Sequence, residues 1–170
     1  MTFECKTVYD QKAVETMARA LRLTVRKKHS RRSRVLGAVV FVLGLGLPFA
    51  GGFSFGFRTV VSWLAAAAVA GALLFEDKLN GRIALGRMLP GTETADAVFE
   101  EEGYSTATAA AESRWAYDRV DAVAETGDFF VLVFGVNHAQ VYAKAGLTGG
   151  TAEEFREFLA EKTGKPVEKL

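Results

Sequence analysis

"VLGAVVFVLGLGLPFAGGFSFGF", residues 35–57, holds 23 positions without a charged side chain. A helix needs roughly 20 mostly apolar residues to cross the hydrocarbon core of a bilayer. Arg58 interrupts, and "TVVSWLAAAAVAGALLF", residues 59–75, adds 17 more uncharged positions. Buried helices of soluble domains rarely run this long without charge. Helices satisfy their own backbone hydrogen bonds, which hydrocarbon demands. The two runs therefore predict a transmembrane hairpin over 35–75, with spans at about 35–57 and 59–75. Pro48, Gly51 and Gly52 lower helix propensity, so the first helix is expected to stop near Ala50. "GGFSFGFR" would then be an interfacial turn, with Phe53, Phe55, Phe57 and Trp63 as an aromatic belt. A cleaved signal peptide is not expected: 34 residues precede Val35, and a second apolar run follows.

The flanks orient the hairpin. "RKKHSRRSR", residues 26–34, supplies Arg26, Lys27, Lys28, Arg31, Arg32 and Arg34 just before the first run. Lys78, Arg82 and Arg87 follow the second, and the connecting turn has only Arg58. Lys and Arg concentrate on the cytoplasmic side, so both termini are expected in the cytoplasm. Residues 1–34 carry ten Lys or Arg against three Asp or Glu, a net +7. Residues 76–170 carry ten against seventeen, a net −7. The six cations of the basic run are candidate contacts for anionic lipid headgroups, at about 1 kcal/mol each. Nucleic acid is not expected as a partner, because the run abuts a membrane span and has no aromatic residues for base stacking.

Small residues crowd the hairpin. The second run has Ala65 to Ala68, Ala70, Gly71 and Ala72; the first has Gly37, Gly44 and Gly46, and Gly52 with Gly56 forms a G-x-x-x-G. Such residues let helix backbones approach. The expected use is packing of the two spans, with homo-oligomerisation second. Neither run contains an ionisable side chain, which argues against an ion path or proton relay built from this chain alone.

The remainder reads as a small α+β domain. "FECKTVY" alternates as a strand, and Asp10 can cap a following helix with an apolar stripe of Val14, Met17, Ala18, Leu21 and Val25. After the second span, "EDKLNGRIALGRML" should stay helical up to Pro90, within a juxtamembrane segment 76–94. A domain over 95–165 follows. "AVFEEEGYSTATAA" reads as two strands about a turn at Glu102 and Gly103. "SRWAYDRVDAVAET" is mixed, with Trp115, Val120 and Val123 as anchors. Gly127 and Asp128 signal a tight turn, "FFVLVF" a strand, "GVNH" a turn containing His138, and "AQVYAK" the return. Thr151 with Glu154 fits a capping box; Phe155, Phe158 and Leu159 form the buried face of a last helix ended by Gly164 and Pro166. Residues 166–170 are left as a tail. Antiparallel strands closed by one helix are a common α+β arrangement, and the N-terminal strand is expected to join.

The order of these elements, and "FEEEGYSTATAAAESRWAYDRVDAVAETGDFFVLVFGVNHAQVYAKAGLTGGTAEEFREFL" in particular, resembles the YcxB-like family of small bacterial membrane proteins. The shared pattern is a Phe-acidic-x-Gly turn, a Trp opening the next strand, an "ET-x-D" turn, an aromatic strand, a Lys-bearing strand and an "EEF" helix. The resemblance implies a pleckstrin-homology-like cytosolic fold and no established activity. Relatives carry Pro-Lys-Arg where this chain has Ala143, Lys144 and Ala145.

No catalytic constellation suggests itself. A single Cys5, with His29 and His138 far apart, offers no metal-ligand spacing and no internal disulfide. "GLTGGT" precedes a helix but lacks the Gly-Lys-Ser/Thr ending of a phosphate loop. The expectation is a membrane-anchored, non-enzymatic docking or regulatory module without a cofactor, binding a protein partner through surface residues such as Trp115 and Lys144. An anionic-lipid-binding surface module and an immunity-type membrane protein are the alternatives.

Overall fold

The computed structural model describes residues 2–50, 52 and 55–170. Phe53 of the expected aromatic belt, and Gly51 and Ser54 of the same turn, lie outside the described residues. Two compact units emerge: residues 1–26 with 80–170, and residues 27–79.

The first unit brings β1 (Phe3–Val8) into a five-stranded sheet with β2 (Thr94–Phe99), β3 (Tyr104–Ala107), β4 (Glu112–Trp115) and β8 (Leu147–Thr148), in the order β4-β3-β2-β1-β8. A second sheet runs β7-β6-β5-β9, from β5 (Ala122–Glu125), β6 (Phe129–Phe134), β7 (His138–Ala143) and β9 (Val167–Lys169). Helices α1 (Gln11–Leu23) and α5 (Ala152–Thr163) complete it. All pairings are antiparallel except β5 with β9, which is parallel.

The alternation of β1 decides its two faces: Phe3, Cys5 and Thr7 are buried, and Glu4, Lys6 and Val8 are exposed. Phe3 and Cys5 enter a core with Phe99, Tyr104, Tyr142 and Phe155 between the sheets and α5. Strand β6 is apolar at every position because both its faces are covered. Phe130 and Leu132 enter that core, while Phe129, Val131 and Val133 enter a second one with Ala13, Ala20 and Leu21 of α1. The buried residues of α1 are Ala13, Val14, Ala20 and Leu21, and Met17 and Val25 pack against the same core, so the expected stripe is present except for Ala18, which is only partly buried.

Asp10 caps α1, its carboxylate accepting from the Ala13 amide at 2.8 Å. Asp10→Ala is expected to cost about 1 kcal/mol of unfolding free energy, read from urea denaturation. Thr151 and Glu154 form the full capping box of α5, and Gly164 ends that helix at φ +63°. Gly146 is dictated by contact: a Cβ there would sit 1.9 Å from the carbonyl oxygen of Lys6, where β1 meets the chain entering β8. The tail is not free, because Val167, Glu168 and Lys169 pair with Val123, Ala124 and Glu125.

The second unit is a pair of helices, α2 (Lys27–Gly46) and α3 (Phe57–Leu74). Residues 27–34 of the basic run form the first two turns of α2, and Arg26 precedes it; Lys and Arg are good helix formers. The apolar run 35–57 is not one helix. It ends at Gly46, passes through a 3-10 turn at Leu47–Phe49 carrying Pro48, and resumes at Phe57, which puts Arg58 inside α3. Proline lacks the N–H that a continuing helix needs. Gly37 and Gly44 face the partner helix: a Cβ would meet Leu73 at 2.8 Å and Ala66 at 3.1 Å respectively. Small residues thus serve the packing of the two helices. A shorter helix, α4 (Glu76–Leu85), begins after Phe75 and stops before the expected end near Pro90.

Candidate functional site

The six cations of the basic run do different things. Arg26, at the end of the first unit's N-terminal segment, is engaged: its Nε donates to the Val136 carbonyl and its Nη2 to Oδ1 of Asn137, clasping the β6–β7 turn. Arg34 lies 3.6 Å from a carboxylate oxygen of Glu76. Lys27, Lys28, Arg31 and Arg32 are exposed and make no ion pair among the described residues. Lys28, Arg31 and Arg32 share one helix face with Val35, Leu36 and Val39. Together they line a shallow groove of about 460 Å³.

Lys144 is not a free surface cation. Its Nζ donates to Oε1 of Glu125 at 2.5 Å and lies 4.9 Å from the centre of the Phe130 ring. Arg156 of α5 grips the same carboxylate in a fork, Nε to Oε2 at 2.5 Å and Nη2 to Oε1 at 2.7 Å. Glu125 is only 4 % exposed. Hydrogen bonds from Arg156, opposed by burial and reinforced by Lys144, hold its carboxyl at about 2, down from the usual value near 4.5. The Glu125 carbonyl also accepts from the Leu170 amide at 2.9 Å. This cluster fastens β5, β9, α5 and the turn after β7 at one point, so the charge of Lys144 is used inside the domain.

Trp115 ends β4, an edge strand of the five-stranded sheet. It is half-buried, its ring centre 4.9 Å from Phe134 and 5.2 Å from His138. Its indole Nε1 is buried without an acceptor among the described residues. A groove of about 390 Å³ beside it is lined by Glu100, Glu102, Ser105 and Arg114 as well as Trp115. His138 is the first residue of β7 and not part of a loop; burial lowers its pKa.

The remaining titratable groups of the core find hydrogen-bond partners within the domain. The hydroxyls of Tyr104 and Tyr142 both donate to Oε1 of Gln140 at 2.6 Å, and burial pushes both phenols above their usual range. Tyr117 donates to the carbonyls of Glu100 and Gly103 and holds the β2–β3 turn. Cys5 is buried, its thiol donating to the Ala143 carbonyl at 3.3 Å and raised in pKa mainly by desolvation. Among the described residues, no group of three or more His, Cys, Asp or Glu is placed to hold a metal ion.

The strand turn at Glu100–Gly103, the Trp at the end of β4, the aromatic β6 and the capped α5 succeed one another in the order expected from the sequence. Residues 99–159 match the family model of the YcxB-like proteins. The matched segment runs from the last residue of β2 into α5 and so includes Trp115, Glu125, Lys144 and Arg156. Comparison with curated proteins and with solved structures gave no match. Sequence reasoning did not reach Glu125 or Arg156. The signal was a lone acidic residue at the end of the otherwise apolar β5, opposite Phe130 in the ladder.

Proposed function

We propose that the chain is a non-enzymatic docking module anchored in a bacterial cytoplasmic membrane by α2 and α3, with both termini cytoplasmic. The two-sheet unit is read as a pleckstrin-homology-like domain that receives an extended segment of a protein partner along β4. The observation that carries the docking reading is the edge strand itself. Its outer backbone groups are unpaired in the sheet, and a groove lined in part by Arg114 and Trp115 lies beside it. Edge strands with flanking grooves recognise extended peptides by strand addition. Arg114 and Glu112 on that edge would select the register of the incoming segment by charge.

Anchoring rests on two helices long and apolar enough to cross a membrane, Lys27–Phe49 and Phe57–Leu74, with mean hydropathies of 1.5 and 1.7. Val35, Leu36, Leu43, Leu64 and Leu74 stay exposed, an apolar surface that a bilayer would cover.

Topology is tested by single cysteines at Phe55, His29 and Glu102 in a Cys5→Ser background, with a membrane-impermeant thiol reagent on intact cells. Labelling at position 55 alone is expected. Labelling at 29 or 102 would invert the orientation. Docking is tested by affinity capture from membranes. A partner held by the full chain should be lost with Arg114→Glu and with a bait reduced to residues 27–79. Equal recovery by residues 27–79 alone would overturn the docking reading.

A further inference from the structure

We infer that the start of α2 is a seat for one anionic phospholipid, with headgroup and acyl chain held on the same helix face. The inference rests on α2 lying at a membrane surface and is otherwise separate from docking at β4. Three observations carry it. First, the six cations are not equivalent: Arg26 is spent on the β6–β7 turn and Arg34 lies against Glu76. Second, Lys28, Arg31 and Arg32 fall at i, i+3 and i+4, a spacing that puts side chains on one helix face, and they have no anionic partner among the described residues. Third, that face continues without a break into Val35, Leu36 and Val39, which are exposed or half-exposed, and the six residues line one groove of about 460 Å³.

Charge and apolar surface are thus graded along one stripe, cations for one turn and aliphatic side chains for the next. A free phosphate would use only the first turn. A phospholipid uses both, its phosphate among Lys28, Arg31 and Arg32 and the head of an acyl chain along Val35, Leu36 and Val39. Long cationic side chains bury their stems against apolar surface while keeping the charge at the polar boundary, and guanidinium groups bind phosphate oxygens in a fork.

The test separates a seat from a diffuse positive field by comparing two variants of equal charge. Full-length protein in dodecyl maltoside micelles is titrated with dioctanoyl phosphatidylglycerol or dioctanoyl phosphatidylcholine, and bound lipid is counted by native mass spectrometry. Wild type should prefer phosphatidylglycerol. Arg31→Gln/Arg32→Gln should weaken its binding by about tenfold or more, given about 1 kcal/mol per cation near an anionic surface. Lys27→Gln/Arg34→Gln should weaken it less than about threefold. Arg31→Lys/Arg32→Lys keeps the charge and should recover most of the affinity, which guards against a variant that fails to fold. Equal losses in the two Gln pairs would overturn the seat in favour of general charge. So would equal binding of the two lipids by wild type, or competition by inorganic phosphate as strong as by phosphatidylglycerol.

Discussion

Glu125→Ala is expected to lower the unfolding free energy of the two-sheet unit by about 3–5 kcal/mol, the usual cost of removing one partner from a buried ion pair. The carboxylate is almost wholly buried and carries three short hydrogen bonds from Lys144 and Arg156. Without it, Lys144 loses its carboxylate and Arg156 keeps only the exposed Glu153, 3.6 Å away, and the parallel pairing of β9 loses a rigid neighbour. The same group sets an acid limb. Its folded value of about 2 lies below the ordinary 4.5, so the unfolded chain takes up the proton first. Stability from this group is therefore complete above about pH 4.5 and is lost as pH falls toward 2. The difference of roughly 2.5 units corresponds to about 3 kcal/mol. Urea unfolding of the full chain in micelles, followed by Trp115 fluorescence in a Trp63→Phe background, reads both effects. The variant should show a lowered plateau at neutral pH and a flatter acid limb. A loss below about 1 kcal/mol would mean that the triad is solvated.

The second large effect is expected at Phe155. Its ring centre lies 5.1 Å from Phe3, 4.8 Å from Phe99 and 5.2 Å from Phe130, so one side chain of α5 ties strands of both sheets together. Phe155→Ala should cost about 3–5 kcal/mol, combining lost transfer free energy with the cavity left behind. Phe155→Leu keeps most of the volume and should cost less than about 1.5 kcal/mol. Both are read from the same urea transition. The helical signal of α2 and α3 should survive either change, because residues 27–79 form a compact unit of their own.

What could be read in the sequence was what has a local cause. The alternation of β1, the cap at Asp10, the Thr151–Glu154 box and the apolar β6 each follow from a few neighbouring residues, and each is present. The YcxB-like resemblance holds over residues 99–159 for the same reason: its turns and strands keep their local signatures. What escaped depends on distance along the chain. Nothing near Val167 announces that it will pair with Val123, 44 residues earlier, in a parallel ladder. Lys144 looks like any surface lysine until Glu125 and Arg156 are brought to it. Arg26 reads as one of six equal cations until the β6–β7 turn arrives, 110 residues later in sequence. The small residues of the hairpin fall between these cases. Their crowding predicted close packing, but only the geometry picks out Gly37 and Gly44 as the positions where a Cβ would collide.

The two-sheet unit is discontinuous: β1 and α1 precede the helical hairpin, and every other strand follows it. Between the last residue of β1 and the first of β2 lie 85 residues, yet the two strands pair along their full length. Closing a flexible loop of that size costs about 2 kcal/mol more than closing one of ten residues. Pairing of α2 with α3 shortens the stretch that must be closed as a flexible loop. During synthesis β1 emerges first and has no partner until β2 and β8 follow. Pairing of α2 with α3 is therefore expected to set how soon β1 can meet β2. A change that slows pairing of α2 with α3, such as a bulky residue at Gly44, should delay maturation of the distant sheet while leaving its final stability nearly unchanged.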